Sequence, residues 1–311
     1  MTRRHTARAV GIALGVVADR VLGDPRRLHP VAGMGTTAAA LERRIWSDSR
    51  TVGVLYTGVL VGGVVAAAAV AERGGSRTTV LTTAAATWAS LGGTTLTRVV
   101  ADLGALVDAD ELDAARDLVP SLCGRDPRSL DADGMVRAAV ESLAENTSDA
   151  TVGPLVWAAV AGAPGVLGYR MANTLDSMVG YRSERHGRFG WASARLDDLV
   201  NLVPARVSGL VVVALAPDRR GAIAAWRRDA GRHPSPNAGV VEASFAGALD
   251  VGLGGLTVYP HGIEDRPRLG DGPPPTVDDL HRAVELSRRV QTVVAVVACA
   301  VPLLVSRRSG R

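Results

Sequence analysis

Residues 51–71 read TVGVLYTGVLVGGVVAAAAVA and contain no charged side chain. At ~1.5 Å per residue, a helix of this length covers about 30 Å, the thickness of a bilayer's hydrocarbon core. The stretch predicts a membrane-spanning helix, and it sets the fold class: all-α and polytopic, with the lipid bilayer as a partner. Its Gly58, Gly62 and Gly63 predict a small face for close helix packing. A charged turn follows at residues 72–77. The next uncharged run, residues 78–97, predicts a second span of the same hairpin.

Upstream, residues 10–21 form a shorter apolar segment behind a basic start. It imitates a signal peptide, but it lacks a small-x-small cleavage site and Asp19 interrupts the run, so a retained first membrane helix is expected. The turn Gly23-Asp24-Pro25 ends it, and Asp24 is expected to fix that turn. Downstream, residues 98–149 are rich in Asp and Glu and predict amphipathic helices outside the bilayer. Residues 150–169 are apolar but broken by Gly162-Ala163-Pro164-Gly165. A helix that breaks and turns back at that point is expected, since such breaks are tolerated where they line a protein-walled cavity. Residues 199–217 and 290–305 are further apolar runs, giving about four to six spans. Residues 218–232 predict a basic amphipathic helix along the membrane surface. Residues 240–255 predict a small-residue helix, and residues 259–275 a loop heavy in Pro and Gly. Arginines gather at both ends of the chain, which points both ends to the cytoplasm and predicts a multi-pass protein of the cell membrane. One domain over residues 1–311 is expected: amino-terminal membrane helices (1–97), an acidic and Arg-rich core (98–206), and carboxy-terminal membrane helices with a loop insertion (207–311).

The chain has no lysine, so a Walker-type phosphate loop cannot exist in it. The formal net charge of +4 comes without a basic block interleaved with aromatics, which argues against nucleic acid as a partner. Cys123 and Cys299 stand far apart and make neither a disulfide framework nor a zinc site.

Between the broken apolar segment and the run at 199–217 lies YRMANTLDSMVGYRSERHGRFGWASARLDDLVNLVPAR, residues 169–206. It interleaves Asn173, Asp176, Asp197, Asp198 and Asn201 with Arg170, Arg182, Arg185, Arg188, Arg195 and Arg206. Charges flanked by apolar segments are costly unless they are paired or hold a ligand. Carboxylates with amide oxygens suit a hard cation such as Mg2+, and guanidinium groups suit phosphate and carboxylate. A phosphorylated, metal-bound substrate would use both; a salt-bridged loop between helices would also gather such charges. Upstream, Glu141, Glu145 and Asp149 fall at i, i+4 and i+8 and share one face of a helix. Their mutual repulsion asks for a bound cation or an arginine partner.

These blocks resemble the CobD/CbiB family of cobalamin biosynthesis over almost the full length. The resemblance rests on Gly23-Asp24-Pro25 with His29-Pro30-Val31; on Glu141-Ser142-Leu143-Ala144-Glu145-Asn146 with Asp149; on Asn173-Thr174-Leu175-Asp176-Ser177-Met178-Val179-Gly180-Tyr181-Arg182; on Ala194-Arg195-Leu196-Asp197-Asp198; on Pro204-Ala205-Arg206; and on His233-Pro234-Ser235-Pro236-Asn237-Ala238-Gly239. The tail after Tyr259 is the least typical part, and no substrate residue is expected there.

The resemblance implies an adenosylcobinamide-phosphate synthase. Such an enzyme joins a carboxylate of adenosylcobyric acid to the amine of (R)-1-amino-2-propanol phosphate, or a related amino-alcohol, with consumption of ATP. The corrinoid is then a substrate and not a bound cofactor, and the site faces the cytoplasm; a soluble partner from the cobalamin pathway is compatible with it. On this reading Glu141, Glu145, Asn146, Asp149 and Asp176 would hold Mg2+. Arg170, Arg182, Arg185, Arg195 and Arg206 would clamp phosphates, with Asn173, Asn201, His233 and Asn237 contacting substrate. Asp176, Asp197 and Asp198 would be catalytic, either aspartate of the last pair accepting a proton from the attacking ammonium. His29 is a weaker candidate. Two other classes fit parts of the pattern: a Mg2+-dependent membrane transferase acting on a lipid or alcohol phosphate, and a transporter without chemistry.

Overall fold

The computed structural model describes residues 2–24, 30–181, 183–259 and 262–308. The chain is mostly helical. In order, the helices are α1 (Thr2–Leu22), α2 (Pro30–Ile45), α3 (Arg50–Ala71), α4 (Ser76–Ser90), α5 (Gly93–Asp108), α6 (Leu112–Leu118), α7 (Ala132–Thr147), α8 (Gly153–Ala161), α9 (Ala163–Val179), α10 (Trp191–Leu215), α11 (Arg219–Asp229), α12 (Ala238–Leu249) and α13 (Val277–Arg308). Among the described residues, three stretches are long and apolar enough to cross a membrane: Arg50–Gly74, Trp191–Leu215 and Val277–Ser306. The third is longer than the apolar run at 290–305, because the polar stretch that starts at Val277 continues into it as one helix.

The second span expected at 78–97 does not form as one helix. It divides at Leu91 and Gly92 into α4 and α5, where Gly92 N–H donates to the Ala150 carbonyl at 3.0 Å. The chain after α12 also differs from expectation. The helix expected over 240–255 stops at Leu249, and β1 (Leu253–Tyr259) pairs antiparallel with β2 (Gly262–Leu269), which takes the place of part of the loop expected at 259–275, with Leu256 opposite Asp265 and Val258 opposite Ile263. Thr257, Val258 and Tyr259 favour a pleated strand. Gly254 and Gly255, at φ 85° and 87°, carry the irregularity after Leu253, where the small-residue helix of 240–255 had been expected to continue.

The chain divides into two compact units: Met1–Gly92 with Asp149–Asn201 and Val294–Arg311, and Gly93–Ser148 with Leu202–Val293. In the first, α3 and α9 pack around Tyr56, Leu60, Met171, Leu175, Val179 and Phe189. Tyr56 and Phe189 ring centroids are 4.9 Å apart. Gly53 lies so close to the Phe189 carbonyl that a Cβ would sit 1.9 Å from its oxygen. Close helix packing therefore uses Gly53, and not Gly58, Gly62 and Gly63, which have nothing within 4 Å. Those three lie on the outward side of the span. Another close approach joins α1 to α4, where Gly11 meets Thr83 and Gly15 meets Thr87.

The break expected at Gly162 is where α8 ends and α9 begins, with φ 69° at Gly162. The first free N–H of α9, on Ala163, donates at 3.0 Å to Glu72, a side chain with no exposure. Glu72 also accepts from Arg4 at 2.7 Å and Arg8 at 2.8 Å. Glu72→Ala would leave Arg8 buried without its anion, a loss of about 3 kcal/mol. The expected result is an apparent melting temperature several degrees lower in detergent, with Glu72→Gln falling between; unchanged melting of the alanine variant would show that the bridge does not hold the break.

A cluster of carboxylates and amides beside a pi turn

Helix α9 places Arg170, Asn173 and Asp176 at i, i+3 and i+6, on one side of the helix. Helix α10 brings Asp197 and Asn201 at i and i+4. A single π-helical stretch, Ser148–Val152, joins α7 to α8 and carries Asp149. Such insertions cluster at functional sites because the extra residue turns a side chain off the regular face. That is why the expected shared face of Glu141, Glu145 and Asp149 is not kept: the α-helix gives way at Ser148.

These elements converge in the first unit. Asn173 Nδ2 donates to Asp149 at 3.3 Å and to Asp197 at 3.4 Å. Asn201 Nδ2 donates to the other oxygen of Asp197 at 3.1 Å. Tyr169 donates to Asn201 Oδ1 at 2.8 Å, and its hydroxyl also lies 3.1 Å from the Asp149 carbonyl. Its ring lies so close to Gly153 that any Cβ there would collide. Arg170 reaches Asn173 Oδ1 at 3.5 Å, while its Nε is buried without a hydrogen-bond partner. The Asp149 and Asp24 carboxylates act electrostatically on Arg170, and Asp176 acts on Asp197. Asp24 thus does more than fix its turn. Asp149, Asp176 and Asp197 are all partly buried, and carboxylate oxygens are the ligands that a hard cation takes. Among the described residues, no three His, Cys, Asp or Glu side chains form a complete ligand set.

Other predicted residues have protein partners. Arg195 pairs with Asp198 at 3.2 Å. Arg185 pairs with Glu42 at 3.0 Å and lies over the Trp46 ring, which anchors its loop. His29 and Arg182 lie outside the described residues.

The second unit holds a separate cluster. Glu141 accepts from Arg125 and, at 2.7 Å, from Gly254 N–H. The arginine partner that the acidic face required is therefore Arg125. Asn146 turns back onto its own helix, donating to the Ser142 carbonyl at 3.0 Å. Arg206 donates to Asn237 at 2.6 Å. His233 contacts Arg266 and lies 3.5 Å from Glu242, and Arg266 lies 3.7 Å from Glu242. Burial and the nearby Glu145 charge push Glu242 well above the usual carboxylate range. Burial, with Glu141 adding, also raises Glu145 against the pull of Arg266. Burial and Arg266 push His233 down to about 4, so it is neutral at pH 7.

Sequence reasoning missed Arg125, Glu242 and Arg266. Glu242 had a signal, being the lone charge in an otherwise apolar helix. Arg266 lay in the tail set aside as atypical.

A mostly helical protein with helices long and apolar enough to cross a membrane, and with two part-buried charge clusters, is the class that fold and sites define. The CobD/Cbib protein family matches residues 12–287, and the chain belongs to that family. It is similar to the cobalamin biosynthesis protein CobD of Mycobacterium tuberculosis, at 56% identity over 97% of each chain. It is also similar to the proteins of the same name from Rhodobacter capsulatus (41% identity, 94% of this chain and 96% of that one) and Rhizobium meliloti (41%, 94% and 97%). No solved structure matches it.

The second cluster has a definite pH signature. An acid whose pKa is raised on folding costs stability as pH rises from its unfolded value, ~4.3, through its folded one. Glu242→Gln removes that cost. The variant should melt higher than the parent at pH 8, and the difference should vanish near pH 4; a variant less stable at pH 8 would mean that Glu242 is charged and well paired.

Proposed function

We propose that this chain acts in cobalamin biosynthesis as an ATP-dependent acid–amine ligase of the cell membrane. It would join a carboxylate of adenosylcobyric acid to the amine of an amino-alcohol phosphate, giving adenosylcobinamide phosphate. The observation that carries this reading is the network in which Asn173 joins Arg170, Asp149 and Asp197, Asn201 holds Asp197, and Asp176 acts on Asp197. Family membership and the names of the relatives supply the pathway.

The chemistry follows from the groups present. A carboxylate does not condense with an amine unaided. Phosphoryl transfer from ATP to the carboxylate would create a leaving group, and attack by the amine would release phosphate. Such a transfer depends on positioning and on compensation of oxygen charge more than on covalent work by the protein. Asp149 and Asp176 would hold Mg2+ together with substrate phosphates, and the bound ion would supply charge neutralisation at the phosphoryl oxygens. Glu141 fits this role less well, because Arg125 and Gly254 already occupy its oxygens. Arg170 would face the transferred phosphoryl group or the substrate carboxylate. Asn173 and Asn201 orient Asp149 and Asp197, and Asp197 is the better placed of the aspartate pair to accept the ammonium proton, since Asp198 is paired with Arg195. The α8–α9 hairpin would enter the membrane only in part, keeping this cluster on the cytoplasmic side.

The test is an assay on purified membranes with adenosylcobyric acid, aminopropanol phosphate, Mg2+ and ATP, read as amide product by mass. ATP-dependent product is expected. It should fall by about 100-fold or more in Asp176→Asn at unchanged expression and melting temperature. Near-normal turnover in that variant would remove Asp176 from the site. Product formation without ATP would replace the ligase reading with a transferase.

A further inference from the structure

The two helices α1 and α4 run parallel, since Gly11 meets Thr83 and Gly15 meets Thr87 in the same direction. Their amino-terminal ends therefore lie side by side. Between them is a groove of about 390 Å³, within the ~300–1,000 Å³ range of small-molecule sites. Its walls are mostly apolar and include Ala7, Val10 and Val80, while Arg3, Arg77 and Ser76 stand at its mouth.

The mouth carries uncompensated positive charge. Glu72, the acidic residue of the adjoining turn, is already taken by Arg4 and Arg8. Among the described residues, Arg3 and Arg77 have no hydrogen-bond or ion-pair partner. Neither helix has an acidic residue in its first turn, so the two dipole ends add to the same sign. Away from the mouth, α1 exposes Val10, Leu14, Val17 and Val21, at 45, 50, 56 and 74%. Their spacing of four, three and four residues keeps them on one side of the helix, over about 16 Å. An apolar channel that begins at paired guanidinium groups and continues as an apolar stripe matches an amphiphile with an anionic head.

We propose that this groove binds one anionic phospholipid, its headgroup phosphate between Arg3 and Arg77 and an acyl chain along Val10 and Val80. A zwitterionic lipid offers the same phosphate but adds a quaternary ammonium, which the two guanidiniums repel. The anionic lipids of the cytoplasmic leaflet provide the complementary charge. This site is independent of the proposed reaction, since its occupancy is read by mass alone.

The test uses the full chain purified in detergent, titrated with palmitoyl-oleoyl phosphatidylglycerol or with phosphatidylcholine of the same chains, and observed by native mass spectrometry. The single-lipid adduct should be about tenfold more populated with phosphatidylglycerol. That preference should fall to parity in Arg3→Gln/Arg77→Gln at unchanged melting temperature. Val10→Trp, which fills the groove and leaves both arginines, should displace the lipid with the charge intact and serves if the double variant fails to fold. Equal binding of the two lipids would overturn the proposal. So would a preference that survives either variant, or glycerol 3-phosphate binding as well as the lipid does.

Discussion

A buried carboxylate governs the geometry of the first unit. Glu72 satisfies the backbone N–H that the interruption at Gly162 leaves open, and two arginines of α1 satisfy Glu72 in turn. In apolar surroundings an unpaired N–H or charge costs several kcal/mol, so the three parts need each other. The place where α9 starts is thereby fixed, and with it the angular position of Arg170, Asn173 and Asp176 further along. A chain that must break a helix among apolar neighbours has few ways to do so, and this one uses a single acidic residue from a turn some ninety residues upstream.

The two charge clusters solve the cost of burial differently. In the second unit, carboxylates meet arginines directly, and Glu145 and Glu242 are pushed toward their neutral forms. In the first unit, Asp149 and Asp197 are held by the amides of Asn173 and Asn201, which lend no charge. Amide support orients a carboxylate without bringing a charge of its own, whereas an arginine neutralises it. This is the physical ground for placing chemistry at the first cluster and structure at the second.

Much of this was legible in the residues. The uncharged run at 51–71 announced a helix long and apolar enough to span, Gly162 marks where one helix ends and the next begins, and the interleaved Asn, Asp and Arg of 169–206 marked the stretch that carries the first cluster. What the sequence could not show were local departures from regular geometry. The π turn at Ser148–Val152 leaves no mark in composition, yet it sends Asp149 away from the face of Glu141 and Glu145. The division at Leu91 and Gly92 lies inside a run that hydropathy reads as continuous. Gly58, Gly62 and Gly63 looked like packing glycines, but which side of a span meets protein depends on tertiary placement; Gly11, Gly15 and Gly53 do that work instead.

The hairpin is bound to the second unit through its backbone as well as its side chains. Arg137 donates to the carbonyls of Gly254 at 2.7 Å and Leu256 at 3.0 Å, and Glu141 takes the Gly254 N–H. Arg266 runs from the opposite strand to Tyr259, His233 and Glu242. A segment wired in this way does not behave as an exchangeable surface ornament. Replacing this hairpin by an unrelated one would strand a guanidinium or a carboxyl group unless α7 and α12 changed with it. The interior of the unit therefore constrains how its most peripheral segment can diverge.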